Sequence, residues 1–188
     1  TVKERVKKIA PGGALMAEVE HEVSLISGIY EILPNRRGAA VVQTNFELLG
    51  PLKYSASETK YAKAIQKATN KPQVGMDGDI YPMRETLPAQ GGSTDVGDVS
   101  QLVPTVRLST PAAPKDAPWH SWAVVACTGM SIGHKGMIYA TKALSMTMLD
   151  FYKNPKLIEG VKKEIKEAED AVSVAPKVTE NFSSFTAE

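Results

Sequence analysis

The stretch from Lys135 to Tyr152 constrains the fold more than any other. Met137, Ile138, Ala140, Ala143, Leu144, Met148, Leu149 and Phe151 place apolar side chains most of the way round a helix. The spacing predicts a core helix that other elements must surround. Asn154-Pro155 then offers a cap residue and a proline at the first position of the next helix, whose inner face is Leu157, Ile158, Val161 and Ile165. Upstream, Pro34-Asn35 marks a boundary, and Ala39, Val42, Phe46 and Leu49 recur at helical spacing up to Gly50. Ser57 is positioned to cap a further helix carrying Tyr61, Ile65 and Ala68.

The N-terminal part follows another rhythm. Val2, Val6 and Ile9 lie on one helical face, Thr1 with Glu4 has the form of a capping box, and Pro11-Gly12-Gly13 is expected to stop this helix. From Ala17 the period changes. Glu18, Glu20 and Glu22 alternate with Val19, His21 and Val23, and Leu25 continues the apolar side, which predicts a strand with one wet face. Helix plus strand make half of a small α+β layer unit. Asn70 to Gly92, with four glycines, three prolines and no sustained period, is read as a loop, and loops that long are usually functional or disordered. Thr105 to Ser109 reads as a short buried strand, Pro111 to Pro118 as a proline-rich loop, and Ser173 onward as a polar tail.

Composition excludes several classes. The 188 residues are 43% hydrophobic and 23% charged, as in ordinary globular chains. Lys and Arg number 22 against 21 Asp and Glu, a net charge of +1, which argues against a nucleic-acid backbone binder. Cys127 alone makes neither an internal disulfide nor a zinc site, and in Val124-Val125-Ala126-Cys127 a buried inert thiol is expected. No apolar run approaches the length of about 18 residues that a membrane span needs, so no membrane partner is expected. The opening Thr1-Val2-Lys3-Glu4-Arg5 has neither an initiator Met nor a leader and reads as mid-protein, with a cytoplasmic setting expected.

Candidate chemistry is sparse. His21 shares the parity of Val19 and Val23 and reads as a packed or paired strand histidine. His120, in Pro118-Trp119-His120-Ser121-Trp122, sits in a loop where a proline and two indoles would restrict it, and is a candidate for function. His134, in Ser131-Ile132-Gly133-His134-Lys135-Gly136, could face an anion near a helix start or simply cap it. Gly91 to Ser100 combines glycines, hydroxyls, Asp95 and Asp98. Such a loop suits a carboxylate guest, although spacing alone favours a tight turn with Asx capping. It fits neither the Walker nor the dinucleotide pattern. His120, Asp95 and Asp98 are the compact set with ligand chemistry, but they do not amount to a complete catalytic metal site.

Taken together, Gly92-Ser93-Thr94-Asp95-Val96-Gly97-Asp98-Val99-Ser100, Val103-Pro104-Thr105, Pro118-Trp119-His120-Ser121-Trp122 and Gly129-Met130-Ser131-Ile132-Gly133-His134-Lys135-Gly136-Met137 resemble the C-terminal half of the p-aminobenzoyl-glutamate hydrolase subunit group. That group belongs to the zinc-dependent aminoacylase/carboxypeptidase amidohydrolases. Arg5 to Ala10, Gly13 to Met16 and Gly28 to Asn35 resemble its exit from an inserted lid, so the similarity spans Thr1 to about Glu169.

The resemblance implies an α/β fold (α+β if the lid remnant is counted), comprising the C-terminal half of a zinc-peptidase-like catalytic domain and the last helix and strand of a ferredoxin-like lid. On this basis residues 1–27 end the lid or dimerisation domain, 28–172 belong to the catalytic domain, and 173–188 are the tail. It implies hydrolysis of the amide of an N-acyl amino acid such as p-aminobenzoyl-glutamate, in which zinc or manganese ions lower the pKa of a bound water and a glutamate relays the proton. His120 matches the last metal ligand, Gly92, Ser93, Thr94 and Asp95 match a substrate-side loop, and His134 is expected to face substrate or support the site. The remaining ligands and the catalytic glutamate belong to a half not represented in this sequence, so no catalytic residue is expected here. The chain is expected to be inactive alone and to work as a homo- or hetero-oligomer with the N-terminal half supplied elsewhere. The alternatives are a non-catalytic interaction or dimerisation module and a ligand-binding domain using the Gly-rich loop.

Overall fold

The computed structural model describes residues 2–24, 26–84 and 94–171, with side chains to residue 168. Those residues form helices and no strand: α1 (Val2–Lys7), α2 (Ile9–Ala17), α3 (Arg36–Leu49), α4 (Ala56–Ala68), α5 (Val96–Leu102), α6 (Trp122–Thr128), α7 (Ser131–Lys153) and α8 (Pro155–Ala171). The α/β and α+β expectation is therefore corrected. Residues 18–24 keep the alternating pattern but are all exposed and have no neighbouring strand to take up their N–H and C=O groups, so the alternation does not become a ladder. Thr105 to Ser109 is likewise irregular, half-buried and unpaired with any strand.

Pro11-Gly12-Gly13 does not stop a helix either. The break falls at Lys8, and Pro11 lies in the first turn of α2, where its missing N–H removes no helical bond. α2 ends at Glu18, in the left-handed conformation, whose N–H donates to the carbonyls of Ala14 and Leu15. The expected capping box at Thr1 and the tail from Ser173 lie outside the described residues.

The helices from α3 onward obey their sequence signals more closely. Asn35 caps α3, accepting from the Gly38 N–H at 2.8 Å while its amide donates to the Val161 carbonyl of α8 at 2.8 Å. Glu164 of α8 finishes that cap, its two oxygens each accepting a backbone N–H, from Arg36 and Arg37, at 2.8 Å. A carboxylate placed there also meets the positive end of the helix. α4 is capped by Ser55 rather than Ser57, in a reciprocal box with Glu58. α7 packs against α3, α6 and α8. Buried Asn45 of α3 donates to Thr147 at 3.1 Å and to Asp150 at 2.8 Å on α7, and the Phe46 and Tyr139 rings stack with centroids 5.5 Å apart. A second cluster gathers Ile65, Ala123 and Cys127 with Tyr61, Ala113 and Ala126.

α7 is not surrounded, contrary to its apolar pattern. Its inner face is Ile132, Gly133, Gly136, Ala143 and Thr147, whereas Met137, Ile138, Leu144, Met148, Leu149 and Tyr152 stay exposed. Small residues face inward because neighbouring backbone comes too close for anything larger. A Cβ at Gly136 would overlap the Pro111 carbonyl oxygen, and one at Gly133 would lie 2.5 Å from Thr128 backbone atoms. Replacing Gly136 by Ala is expected to destabilise the chain by about 1 to 3 kcal/mol through overpacking. Urea unfolding followed by circular dichroism measures this, and an unchanged midpoint would show that the loop at Pro111 yields freely.

Candidate functional site

His120 lies in the connection between the proline-rich loop and α6, and that connection is tied down at several points. Thr110 Oγ1 donates to the Gly136 carbonyl at 3.1 Å. The Gln66 amide Nε2 donates to the carbonyls of Lys115 at 2.9 Å and Gly75 at 3.1 Å, and its oxygen accepts from the Gly75 N–H at 2.8 Å. Buried Gln66 thus joins α4, the stretch from Asn70 to Gly78 and the loop before His120. Ser121 caps α6, accepting from the Ala123 N–H, and its hydroxyl donates to the Pro118 carbonyl at 2.6 Å. Between these anchors His120 takes φ 58°, a left-handed conformation, and its side chain is exposed. Trp119 and Trp122 are also exposed, at 70% and 58%, so the indoles flank the histidine in sequence without enclosing it.

Beside this loop is an open hollow of about 350 Å³ whose lining includes Asp77, Pro111, Lys115, Asp116 and Trp119. Asp77 accepts from the Tyr81 hydroxyl at 2.6 Å and pairs with Lys115 at 3.6 Å. The Tyr81 hydrogen bond, aided by the Asp79 N–H and the Lys115 charge, outweighs partial burial and holds the Asp77 carboxyl below its usual range.

The glycine-rich loop divides into two parts. Gly92 and Ser93 lie outside the described residues. Thr94 and Asp95 are exposed at the start of α5, where Thr94 Oγ1 accepts weakly from the Val96 N–H at 3.4 Å and Asp95 makes no capping bond. The following residues bind the protein's own backbone. Asp98 accepts from the Tyr30 N–H at 2.8 Å, Ser100 accepts from the Leu33 N–H at 2.8 Å, and Gln101 donates to the Glu31 carbonyl at 2.9 Å. Gly97 is glycine because a Cβ there would overlap the Tyr30 carbonyl oxygen. In this half of the loop, close approach serves segment 30–33 rather than a ligand.

His134 is exposed in the first turn of α7, with its N–H bonded to the Met130 carbonyl, and His21 is exposed rather than packed. His120, Asp95 and Asp98 do not form a metal-holding group. Among the described residues no three His, Cys, Asp or Glu side chains do. Cys127 is fully buried and burial raises its thiol pKa, consistent with an inert thiol.

Two residues escaped the sequence reading. Lys135, next to His134, reaches Glu58 of α4 at 2.6 Å, donates to the Lys53 carbonyl at 3.0 Å, and lies 5.6 Å from the Tyr54 ring centre. The Ser55-x-x-Glu58 spacing announces the capping box, but no local signal joins Glu58 to a lysine 77 positions away. Lys135 and the Ser55 backbone N–H, against the opposing effect of burial, lower the Glu58 carboxyl to about 2. A carboxyl depressed in the fold contributes stability that is present above its unfolded pKa and lost as pH falls from about 4.5 toward about 2. Glu58→Gln is expected to cost about 2 kcal/mol at neutral pH and to flatten the acid limb of the stability profile. Thermal unfolding from pH 7 to pH 3 checks this, and wild-type and variant curves that stay parallel would refute it.

Comparison with known proteins extends the reading. Over 194 aligned residues the chain is 28% identical to a p-aminobenzoyl-glutamate hydrolase subunit of Escherichia coli (strain K12), an alignment covering 90% of this chain and 40% of that protein. The chain is a relative of that protein. The family resemblance drawn from the motifs is borne out, and the chain spans 40% of its relative's length. No family model matches the chain, and no solved structure matches it. No helix among the described residues is long and apolar enough to cross a membrane.

Proposed function

We propose that this chain forms part of a metal-dependent amidohydrolase that cleaves the amide bond of an N-acyl amino acid such as p-aminobenzoyl-glutamate. The observation that carries the reading is the 28% identity, over 90% of the chain, to a protein named as a p-aminobenzoyl-glutamate hydrolase subunit. In this reading His120 gives one donor to a zinc or manganese centre whose other donors lie outside these residues. Its exposure, on a loop anchored by Gln66, Thr110 and Ser121, is what a donor shared with further polypeptide requires. Thr94, Asp95 and His134, with Gly92 and Ser93, form the substrate side, and the exposure of the first three leaves them accessible.

The reading also includes dependence on additional polypeptide, in a cytoplasmic setting. Two observations support that dependence. The relative is longer than the region matched here and is named a subunit. The exposed apolar face of α7 supplies the kind of surface that association covers. That same face, with too few donors for a metal ion among the described residues, also favours a second reading, a non-catalytic association module.

In the complete enzyme, His120→Ala is expected to abolish hydrolysis of p-aminobenzoyl-glutamate and to lower bound metal by one equivalent. Turnover assays with metal analysis on the same preparation test it. Wild-type activity with full metal content would remove His120 from the centre. The 188-residue chain alone is expected to show no turnover with zinc or manganese added; measurable turnover would overturn the dependence on further polypeptide.

A further inference from the structure

Both tryptophans of the chain flank His120, and both are exposed. An indole is a large apolar ring, and most are largely covered. Trp119 is held in the open by the backbone around it. Asp116 at φ 61° and His120 at φ 58° both take the left-handed conformation, which turns the chain sharply on each side of the ring. The loop keeps this shape because it is anchored from outside and from within. Gln66 bonds the Lys115 carbonyl, the Ala117 N–H donates to the Pro114 carbonyl at 3.1 Å, and Ser121 bonds the Pro118 carbonyl. A ring presented on a pinned loop loses little freedom when a partner stacks on it.

Trp119 lines the hollow of about 350 Å³, whose wall of Pro111, Pro114 and Ala117 is apolar. A cavity of about 150 Å³ takes a benzene ring, so the hollow has room for one ring with its substituents. Asp77, Lys115 and Asp116 complete the lining, and two carboxylates against one ammonium leave it acidic. Asp77 is already engaged by Tyr81 and Lys115. Asp116 is exposed and has no ion pair or side-chain hydrogen bond among the described residues, so its carboxylate is available to a donor on a guest.

We propose that this hollow binds an aromatic amine, with Trp119 stacked on the ring and Asp116 accepting from the amino group. The place of that guest in catalysis rests on the hydrolase reading. In a benzoyl amide the ring is bonded directly to the scissile carbonyl carbon. A carbonyl brought to His120 therefore leaves its ring within reach of the neighbouring residue, since consecutive Cα atoms are about 3.8 Å apart. Trp119 then favours aryl over alkyl acyl groups, and Asp116 favours rings that carry an amine. Trp122 begins α6 and does not line the hollow, so it takes no part in this selection.

Nitrogen-edited NMR of the metal-free 188-residue chain reads the site without turnover, because two indoles give two N–H signals and Trp119→Leu identifies which is which. Added p-aminobenzamide is expected to move the Trp119 signal and leave that of Trp122 in place. Benzamide is expected to bind about threefold more weakly for want of the amine, and cyclohexanecarboxamide, similar in size without a π face, about fivefold more weakly than benzamide. Asp116→Asn, whose side chain also tolerates the left-handed conformation, is expected to weaken p-aminobenzamide about threefold and leave benzamide unchanged. No movement of the Trp119 signal, a shift confined to Trp122, or equal affinity for benzamide and cyclohexanecarboxamide would overturn the site, and an undiminished preference for the amine in Asp116→Asn would remove Asp116 from it. Turnover by the complete enzyme separates this proposal from the reading it rests on. Shifts at Trp119 without hydrolysis of p-aminobenzoyl-glutamate would leave the aromatic-amine site standing and remove the hydrolase; hydrolysis without those shifts would do the reverse.

Discussion

The contact on which the rest of the structure depends is the approach of α7's first two turns to foreign backbone. Gly133 lies against the Cys127–Thr128 turn and Gly136 against the Pro111 carbonyl. No side chain other than hydrogen fits at either position without displacing main chain. This contact places the start of the proline-rich loop beside the first turns of α7. It also sets the direction in which Lys135, between the two glycines, extends to Glu58 and ties α4 to the same corner. The Ser-Ile-Gly-His-Lys-Gly motif is thus an assembly point where three segments converge. Ser131 and His134 are its exposed side chains, while Gly133, Gly136 and Lys135 hold the frame.

Long-range polar bonds do, in these helices, what ladders do in sheets. Glu164 of α8 satisfies the first N–H groups of α3, Asn35 at the start of α3 donates to Val161 of α8, and Asn45 links α3 to the middle of α7. Each couples helix ends or faces more than 100 residues apart. A buried amide such as Asn45 or Gln66 is tolerated because several of its polar valences are used, and using them fixes the register of the partners. Gln66 shows this most fully, with three bonds that position both the loop before His120 and the chain at Gly75.

Much of the helical part was legible because its signals are local. The boundary at Pro34-Asn35, the Val42 face, and the Asn154-Pro155 start of α8 all read directly from spacing, and Val161 and Ile165 are buried as their period requires. The strand expectation failed because alternation states only which side chains share a face. Glu18 to Val23 has the pattern without a neighbour, and only a neighbour makes a strand. Pro11 was misread because its effect depends on position: in a first turn it is harmless, and in a helix interior it breaks. At the site, the resemblance to the hydrolase subunit was readable in the motifs, but the division of labour within them was not. Asp98, Ser100 and Gly97 belong to the same run as Thr94 and Asp95, yet they serve segment 30–33, a partner some 67 positions away that no spacing discloses.

The discrepancy at α7 is informative in the other direction. Its composition anticipated burial on nearly all sides, and the fold buries one. Fully covering a large aliphatic side chain contributes about 1.5 to 3 kcal/mol, so Met137, Ile138, Leu144, Met148 and Leu149 represent a large stabilisation not realised within the described residues. Selection for folding of these residues alone would favour Lys or Glu at such positions, as on the outward face of α8 with Lys162, Lys163 and Lys166. The two helices are neighbours, share the same core and differ in what they present outward. That contrast, rather than the number of metal donors, is the physical reason to read α7 as a surface built for contact and α8 as one built for water.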